Sequence, residues 1–245
     1  MTLSPDDLVS AVRADGAAMA GAARLGLDAD VPSCPGWTVA TLLNHTGRVH
    51  RWAAATVAAR QSAPFPPRPD EVTPEWFEEG VAELCGTLQG TSPDTEMWNH
   101  LDGRPRGIFW YRRMANETAV HRWDAEAAHA VTTPIDTGVA LSGIGEIFEV
   151  YVPRALTQNP GAELGGSIHL HATDADAGAG EWTVRIDAGR ATVRREHDKG
   201  DLAIRGTASD LLLLLWGRLD LAGGPFETFG DSGVFDRWRE LSIVG

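Results

Sequence analysis

Lysine is almost missing from this chain of 245 residues: Lys199 is the single one, so arginine carries nearly all the positive charge. Acidic residues outnumber basic ones by 34 to 21, the formal net charge is −13, and the sequence pI is near 5.0. No cluster of Lys and Arg supplies the basic face that a phosphate-backbone binder needs, which argues against a nucleic-acid partner. Long hydrophobic runs are missing too. The longest strongly apolar stretch, 211–216, is far short of the roughly 20 residues of a membrane span. The opening MTLSPDDLVSAVRADG lacks the basic-then-apolar order of a secretion signal. Cysteine is scarce: Cys34 and Cys85 cannot make a disulfide framework in a chain of this length, and both are expected as thiols in a reducing cytoplasm. Cys34 precedes Pro35-Gly36-Trp37 in a turn and is expected to be half-buried and inert rather than reactive. No internal repeat or low-complexity tract appears.

What is present suits a globular protein with a sizeable core, 43% hydrophobic and 22% charged. The first 156 residues read as helices. Ser4 and Pro5 open the first, with an apolar face through Leu8, Ala11, Val12, Met19 and Ala22, and a bend or break is expected at Asp15-Gly16. The turn SCPGWT leads into a second helix, 38–61, and the Pro-rich SAPFPPRPDEVTP into a third, 74–88. A loop over 91–105 precedes a fourth helix, 109–130, and Pro134 precedes a fifth helical stretch, 138–156. The period changes after Asn159-Pro160-Gly161. Strands are expected at 167–173, 181–187, 191–196 and 201–205, with a hairpin turn at 187–190. A capped apolar helix, 211–218, a loop rich in Gly and Pro, and a closing helix in FDRWRELSIV follow. The expected fold is therefore an α+β multidomain chain: a helical bundle over 1–156 and a smaller α+β domain over 157–245.

The residues that carry chemistry lie on the second and fourth helices. Glu117 and His121 are four apart, so they stack on one helix face and can hold two corners of one metal coordination sphere. The same spacing also fits a solvated surface pair. His45 falls on an apolar stripe with Leu42, Val49 and Trp52 and is expected to face the bundle interior, where it can add a third ligand; His50 is expected at the edge. Three N/O ligands with an open position describe a catalytic rather than a structural zinc site. Asp124, three residues past His121, can orient the imidazole or stand as a solvated acid. His169 and His171 share a strand face and are expected to point to solvent, and His100, His129 and His197 have no evident partner. Arg218 follows Gly217 at the end of the apolar helix. It can cap that helix or fork a substrate carboxylate.

Three blocks, PGWTVATLLNH, ETAVHRWD and LLLLLWGR, resemble the mycothiol-dependent maleylpyruvate isomerase family, in the right order and across nearly the whole chain. The resemblance implies a DinB-like four-helix bundle followed by a sterol-carrier-like α+β domain. It implies metal ligands at His45, Glu117 and His121, and a functional arginine at Arg218. Its chemistry would be zinc holding a small thiol, mycothiol, as a thiolate that adds to an activated double bond so that rotation and elimination give the other isomer. Isomerisation or S-transfer on a small carboxylate-bearing electrophile follows as the expected activity. No segment after Arg218 matches a substrate-binding loop of the authentic isomerase. A DinB-like metal-dependent hydrolase and a non-enzymatic binder of a small ligand or partner stand as the alternatives.

Overall fold

The computed structural model describes residues 3–100 and 106–243, so the expected loop at 91–105 falls partly outside them, as do the first two and last two residues. The chain divides into two compact units, Thr2–Ile135 and Asp136–Gly245.

The N-terminal unit is built on four helices: α1 (Pro5–Ala23), α2 (Val39–Ala59), α3 (Pro74–Gln89) and α4 (Ile108–Ala127). Ser4 opens α1 in a capping box. Its hydroxyl accepts from the Asp7 amide at 3.2 Å, and its own amide donates to the Asp7 carboxylate at 2.9 Å. Thr38 and Thr73 cap α2 and α3 in the same way through their hydroxyls. The break expected at Asp15-Gly16 does not occur. Gly16 lets α1 pack tightly on α3, since a Cβ there would sit 2.8 Å from a Val81 methyl. Asp15, beside it, accepts from the Arg122 guanidinium of α4 at 3.1 Å. Tertiary packing thus offsets the ~1 kcal/mol that glycine costs a helix interior. Met19, Leu42, Leu43, Phe77, Leu84, Leu88, Trp110 and Met114 are all buried at the centre. Each contributes on the order of 1.5–3 kcal/mol of burial. Helix α4 is covered on nearly every face: Tyr111, Arg113, Asn116, Thr118, Arg122 and Glu126 are buried as well as its apolar residues.

The second unit begins earlier than the boundary expected at 156/157. Its first helix, α5 (Thr137–Glu146), packs on the leucine-rich α7 (Ala208–Leu215), with Gly143 so close that a Cβ would stand 2.8 Å from a Leu212 methyl. A π-helical turn, Ile147–Tyr151, joins α5 to α6 (Val152–Gln158). Pro153 explains the turn: it has no N–H to return to residue 149, and the Val152 amide bonds instead to the Ile147 carbonyl. Strands β1 (Ser167–Ala172), β2 (Glu181–Asp187), β3 (Arg190–Arg194), β4 (Leu202–Gly206) and β5 (Glu227–Gly230) form one sheet in the order β3-β2-β1-β4-β5. Only β1 and β4 run parallel. The β2–β3 hairpin turns at Ala188 and Gly189, both with positive φ (46° and 71°), as a two-residue primed turn requires. Ile168, Leu170, Trp182, Val184, Leu202 and Ile204 make the buried face of the sheet. Helix α8 (Gly233–Glu240) closes the unit against β1.

Two expectations change here. Strand β5 lies where the sequence predicts a loop rich in Gly and Pro; its four residues, ETFG, are all exposed, and its pairing with β4 is what makes it a strand. His169 does not face solvent. It is 5% exposed, covered by the loop after β3, whose Gly200 passes within 2.8 Å (Cβ position) of the His169 amide nitrogen. No helix among the described residues is long and apolar enough to cross a membrane.

Placing a leucine at Gly16 forces α1 away from α3. Gly16→Leu is expected to lower stability by ~1–3 kcal/mol in urea unfolding, with part of the loss recovered in Gly16→Leu/Val81→Ala; equal midpoints for wild type and Gly16→Leu would refute the contact.

Candidate metal centre

Helices α2 and α4 bring His45, Glu117 and His121 together. The Nε2 atoms of His45 and His121 stand 3.4 and 3.3 Å from the same Glu117 oxygen, Oε1. The other oxygen, Oε2, accepts a short hydrogen bond from Arg113, one turn earlier on α4. The two rings meet edge to face, 5.3 Å between centroids. One donor atom from each of the three residues lies within 4.8 Å of the others.

The surroundings set the charge states. Burial alone would push the Glu117 carboxyl up, but the Arg113 guanidinium and the His121 ring hold it well below the usual carboxylate range. Burial likewise opposes a charged His121, yet the Glu117 carboxylate and the hydrogen bond to Asp124 lift it to about 9. Asp124 is fully buried and accepts from His121 Nδ1 at 2.9 Å and from Ser33 Oγ at 2.5 Å, with Cys34 Sγ 3.9 Å away. An Asp that takes the Nδ1 proton leaves Nε2 as the coordinating atom. This is how carboxylates commonly orient metal-binding imidazoles.

The donor set fits a divalent ion. Ligand distances of ~2.0–2.2 Å around a tetrahedral ion imply ligand–ligand edges of roughly 3.3–3.5 Å. The Glu117–imidazole separations fall in that range and lie beyond an ordinary N–H···O distance. His45 retains 37% of its side-chain exposure against 14% for Glu117 and 11% for His121, so the cluster opens to solvent on the α2 side.

The burial of the two α2 histidines is the reverse of that expected. His50, not His45, is enclosed, with no exposure, against Phe77. Its Nε2 lies 2.9 Å from the Thr118 hydroxyl, which itself donates to the Met114 carbonyl; His50 is therefore the donor, and its Nδ1 is left without a partner among the described residues. The apolar stripe could not separate the two, because α2 is flanked by neighbours on more than one side. Trp37 stands against His45, at 5.2 Å between rings. Trp52 and Trp110 instead stack with Trp98 and His100, which gives His100 the partners the sequence did not reveal. Arg113 and Ser33 were missed as well. The signal for Arg113 was present, since R-x-x-x-E-x-x-x-H runs along one helix face.

Arg218 lies in the other unit. Gly217 (φ 67°) ends α7 in a Schellman arrangement: the Gly217 amide bonds to the Leu214 carbonyl and the Arg218 amide to the Leu213 carbonyl. The guanidinium donates to the Trp216 carbonyl at 2.9 Å and lies over the Trp216 ring.

A helical unit that presents this cluster, joined to a mixed-sheet domain, matches two family models in tandem. Residues 6–126 match the mycothiol maleylpyruvate isomerase N-terminal domain and residues 138–237 the MDMPI C-terminal domain. The chain belongs to the mycothiol-dependent maleylpyruvate isomerase family. Among solved structures it is similar to a crystal structure of the mycothiol-dependent maleylpyruvate isomerase, with a TM-score of 0.64 at 14% identity over 93% of this chain and 95% of that one. It is also similar to a histidine-to-alanine variant of that isomerase, with a TM-score of 0.62 at 13% identity over 89% and 92% of the two chains. No curated protein matches it. At these identities the likeness is one of fold.

Burial depresses the His50 pKa from 6.5 to about 3. The unfolded chain therefore binds a proton below pH 6.5 that the folded chain refuses, and stability falls as pH drops from 6.5 toward 3. Between pH 7 and 5 this one group is expected to cost about 2 kcal/mol. Urea unfolding of His50→Leu at both pH values should show a loss smaller by that amount, and equal losses in the two proteins would contradict it.

Proposed function

We propose that this chain is a zinc-dependent enzyme that uses a low-molecular-weight thiol, mycothiol, to isomerise or S-transfer onto a small, carboxylate-bearing electrophile. The observation that carries the reading is the convergence of His45 and His121 on one oxygen of Glu117 at 3.3–3.4 Å, open to solvent on the His45 side. Family membership supports an isomerase-like activity and supplies the name of the thiol, which the site chemistry does not.

His45, Glu117 and His121 would hold the metal. Bound there, zinc supplies a Lewis acid that keeps a thiol deprotonated near neutral pH. The chain's own residues do the rest. Asp124 fixes the His121 tautomer, and Arg113 holds the second Glu117 oxygen so that Oε1 alone faces the two imidazoles. The sulfur of the cosubstrate adds to the activated double bond, the new single bond rotates, and elimination returns the thiol and the other geometric isomer. Arg218 is proposed as the group that forks the substrate carboxylate and offsets the enolate charge of the adduct. Its place on a fixed Schellman turn limits the entropy lost in holding that carboxylate. No protein cysteine is required: Cys85 is buried and Cys34 is turned to Asp124.

Elemental analysis of untagged wild type is expected to give more zinc per chain than His121→Ala, with one equivalent lost; equal metal content would remove these residues as ligands. The chemistry is checked with Cys34→Ser/Cys85→Ser and a panel of activated alkenes. Turnover should survive the double change, rise with added thiol and vanish on chelation, whereas activity that needs the protein cysteines and ignores added thiol would defeat the cosubstrate reading. Arg218→Lys should retain metal yet lower kcat/KM for carboxylate substrates by ~10–100-fold, because a point charge replaces a planar fork.

A further inference from the structure

The C-terminal unit contains a second gathering of ligand-type side chains, built entirely from its own sheet. His169 and His171 are two apart on β1 and so share one face. The antiparallel register sets Glu181, the first residue of β2, directly opposite His171 and diagonal to His169. The loop after β3 then returns across β1. Gly200 makes this possible: its Cβ position is 2.8 Å from the His169 amide nitrogen and 2.7 Å from the Leu202 carbonyl oxygen, so a side chain there would lift the loop away. That return brings in His197. The result is three imidazoles around one carboxylate. These groups are in direct hydrogen-bond or ion-pair contact: His169 Nε2 lies 2.6 Å from Glu181 Oε2, while His171 Nδ1 and His197 Nδ1 lie 2.6 and 3.2 Å from Oε1. An ion would therefore have to part His169 from Glu181 to the roughly 3.3–3.5 Å edge of a tetrahedral site. The His169 and His197 rings meet edge to face at 5.1 Å.

An ordinary strand-to-strand ion pair needs one histidine and one acid. Here two of the four groups, His169 and Glu181, are buried at 5% and 8% exposure on the sheet face opposite the leucine-rich helix, and a third imidazole arrives from a separate loop. Donor atoms of His169, Glu181 and His197 all lie within 4.8 Å of one another. The three histidines line a cleft of about 810 Å³ that Lys199 and Arg205 also border. A donor set of two imidazoles and a carboxylate suits a divalent ion of intermediate softness, and a fourth position facing a cleft leaves room for water or a small anion. His171 is placed to fix the orientation of the Glu181 carboxylate, the part carboxylates and imidazoles commonly play around a metal ligand.

We propose that His169, Glu181 and His197 form a second divalent-metal site, zinc in class, independent of the cluster on α2 and α4. Its test keeps the two sites apart. Untagged, chelator-stripped full-length protein carrying His121→Ala, which silences the first cluster, is titrated with zinc by calorimetry and with cobalt(II) by its visible spectrum. One saturable equivalent is expected, with the intense visible bands of a low-coordinate N/O cobalt site. Adding His197→Ala should weaken zinc binding at least tenfold and remove those bands. The His197 side chain is 77% exposed on a loop, so its loss leaves the fold intact; circular dichroism of the variant checks this. Absence of a saturable equivalent in the His121→Ala protein, or unchanged affinity when His197→Ala is added, overturns the second site. Neither result bears on the first cluster, which is read from wild type against His121→Ala.

Discussion

A carboxylate carried into a protein interior must find compensation for the hydration it leaves, and the placement of Glu117 imposes that demand on the whole N-terminal unit. Its answer is asymmetric. Arg113, itself nearly buried, takes one oxygen from a turn away on the same helix, and two imidazoles face the other. Because α4 carries the acid and two of its partners, the helix has to be enclosed, yet the residues on its faces are too polar for a simple apolar stripe to drive this. The enclosure is instead completed by a second charged network. Arg122 donates to Asp15 on α1, to Glu126 one turn on, and to the carbonyls of Thr133 and Pro134 just before the unit ends. A single guanidinium thereby ties α1, α4 and the chain's exit from the unit. Arginine suits this role because its planar fork directs several bonds at once, which an ammonium cannot do. The scarcity of lysine in the composition has a structural counterpart in these two buried arginines.

The E-x-x-x-H spacing was legible in the sequence because both residues sit on one helix, where periodicity converts directly into geometry. The extents of α2, α3 and β2 were legible from local pattern as well, and so was the hairpin through Asp187 and Arg190, whereas the leucine-rich helix expected at 211–218 lies three residues earlier, at Ala208–Leu215. The failures share a cause as well. Asp15-Gly16 reads as a breaker until Val81 is brought against Gly16 and Arg122 against Asp15. His45 and His50 differ in burial because of what α3 and α4 lay over α2, not because of anything local. Strand β5 exists only through its partner β4. Each depends on long-range contact, and local pattern carries no record of that.

The histidines of the second unit show the same limit in a sharper form. Alternation correctly set His169 and His171 on one face of β1. The face itself could not be judged, because its cover is a loop some thirty residues downstream that can approach only through Gly200. Nothing local marks Glu181 as a partner for them, and His197 has no evident partner in the sequence. Register made them neighbours: in an antiparallel pair a shift of one residue would have turned Glu181 to the buried face and left the histidines without it.

The two clusters use the same residue types but differ in what holds them. Around Glu117 the acid is anchored by a buried guanidinium and one imidazole is anchored by a buried Asp, so two of the three candidate ligand groups are fixed before any ligand arrives. Around Glu181 no arginine among the described residues intervenes. The carboxylate is shared among three imidazoles, and one of these rides on a loop with most of its surface in solvent. Fixed donors favour a site whose geometry must serve a reaction, since reorganisation at the moment of chemistry raises the barrier. Adjustable donors favour a site that gathers its ligands as it binds. The preorganisation of Glu117 and His121, more than the identity of the residues, is therefore what favours the α2–α4 cluster over the sheet cluster for the proposed catalytic role.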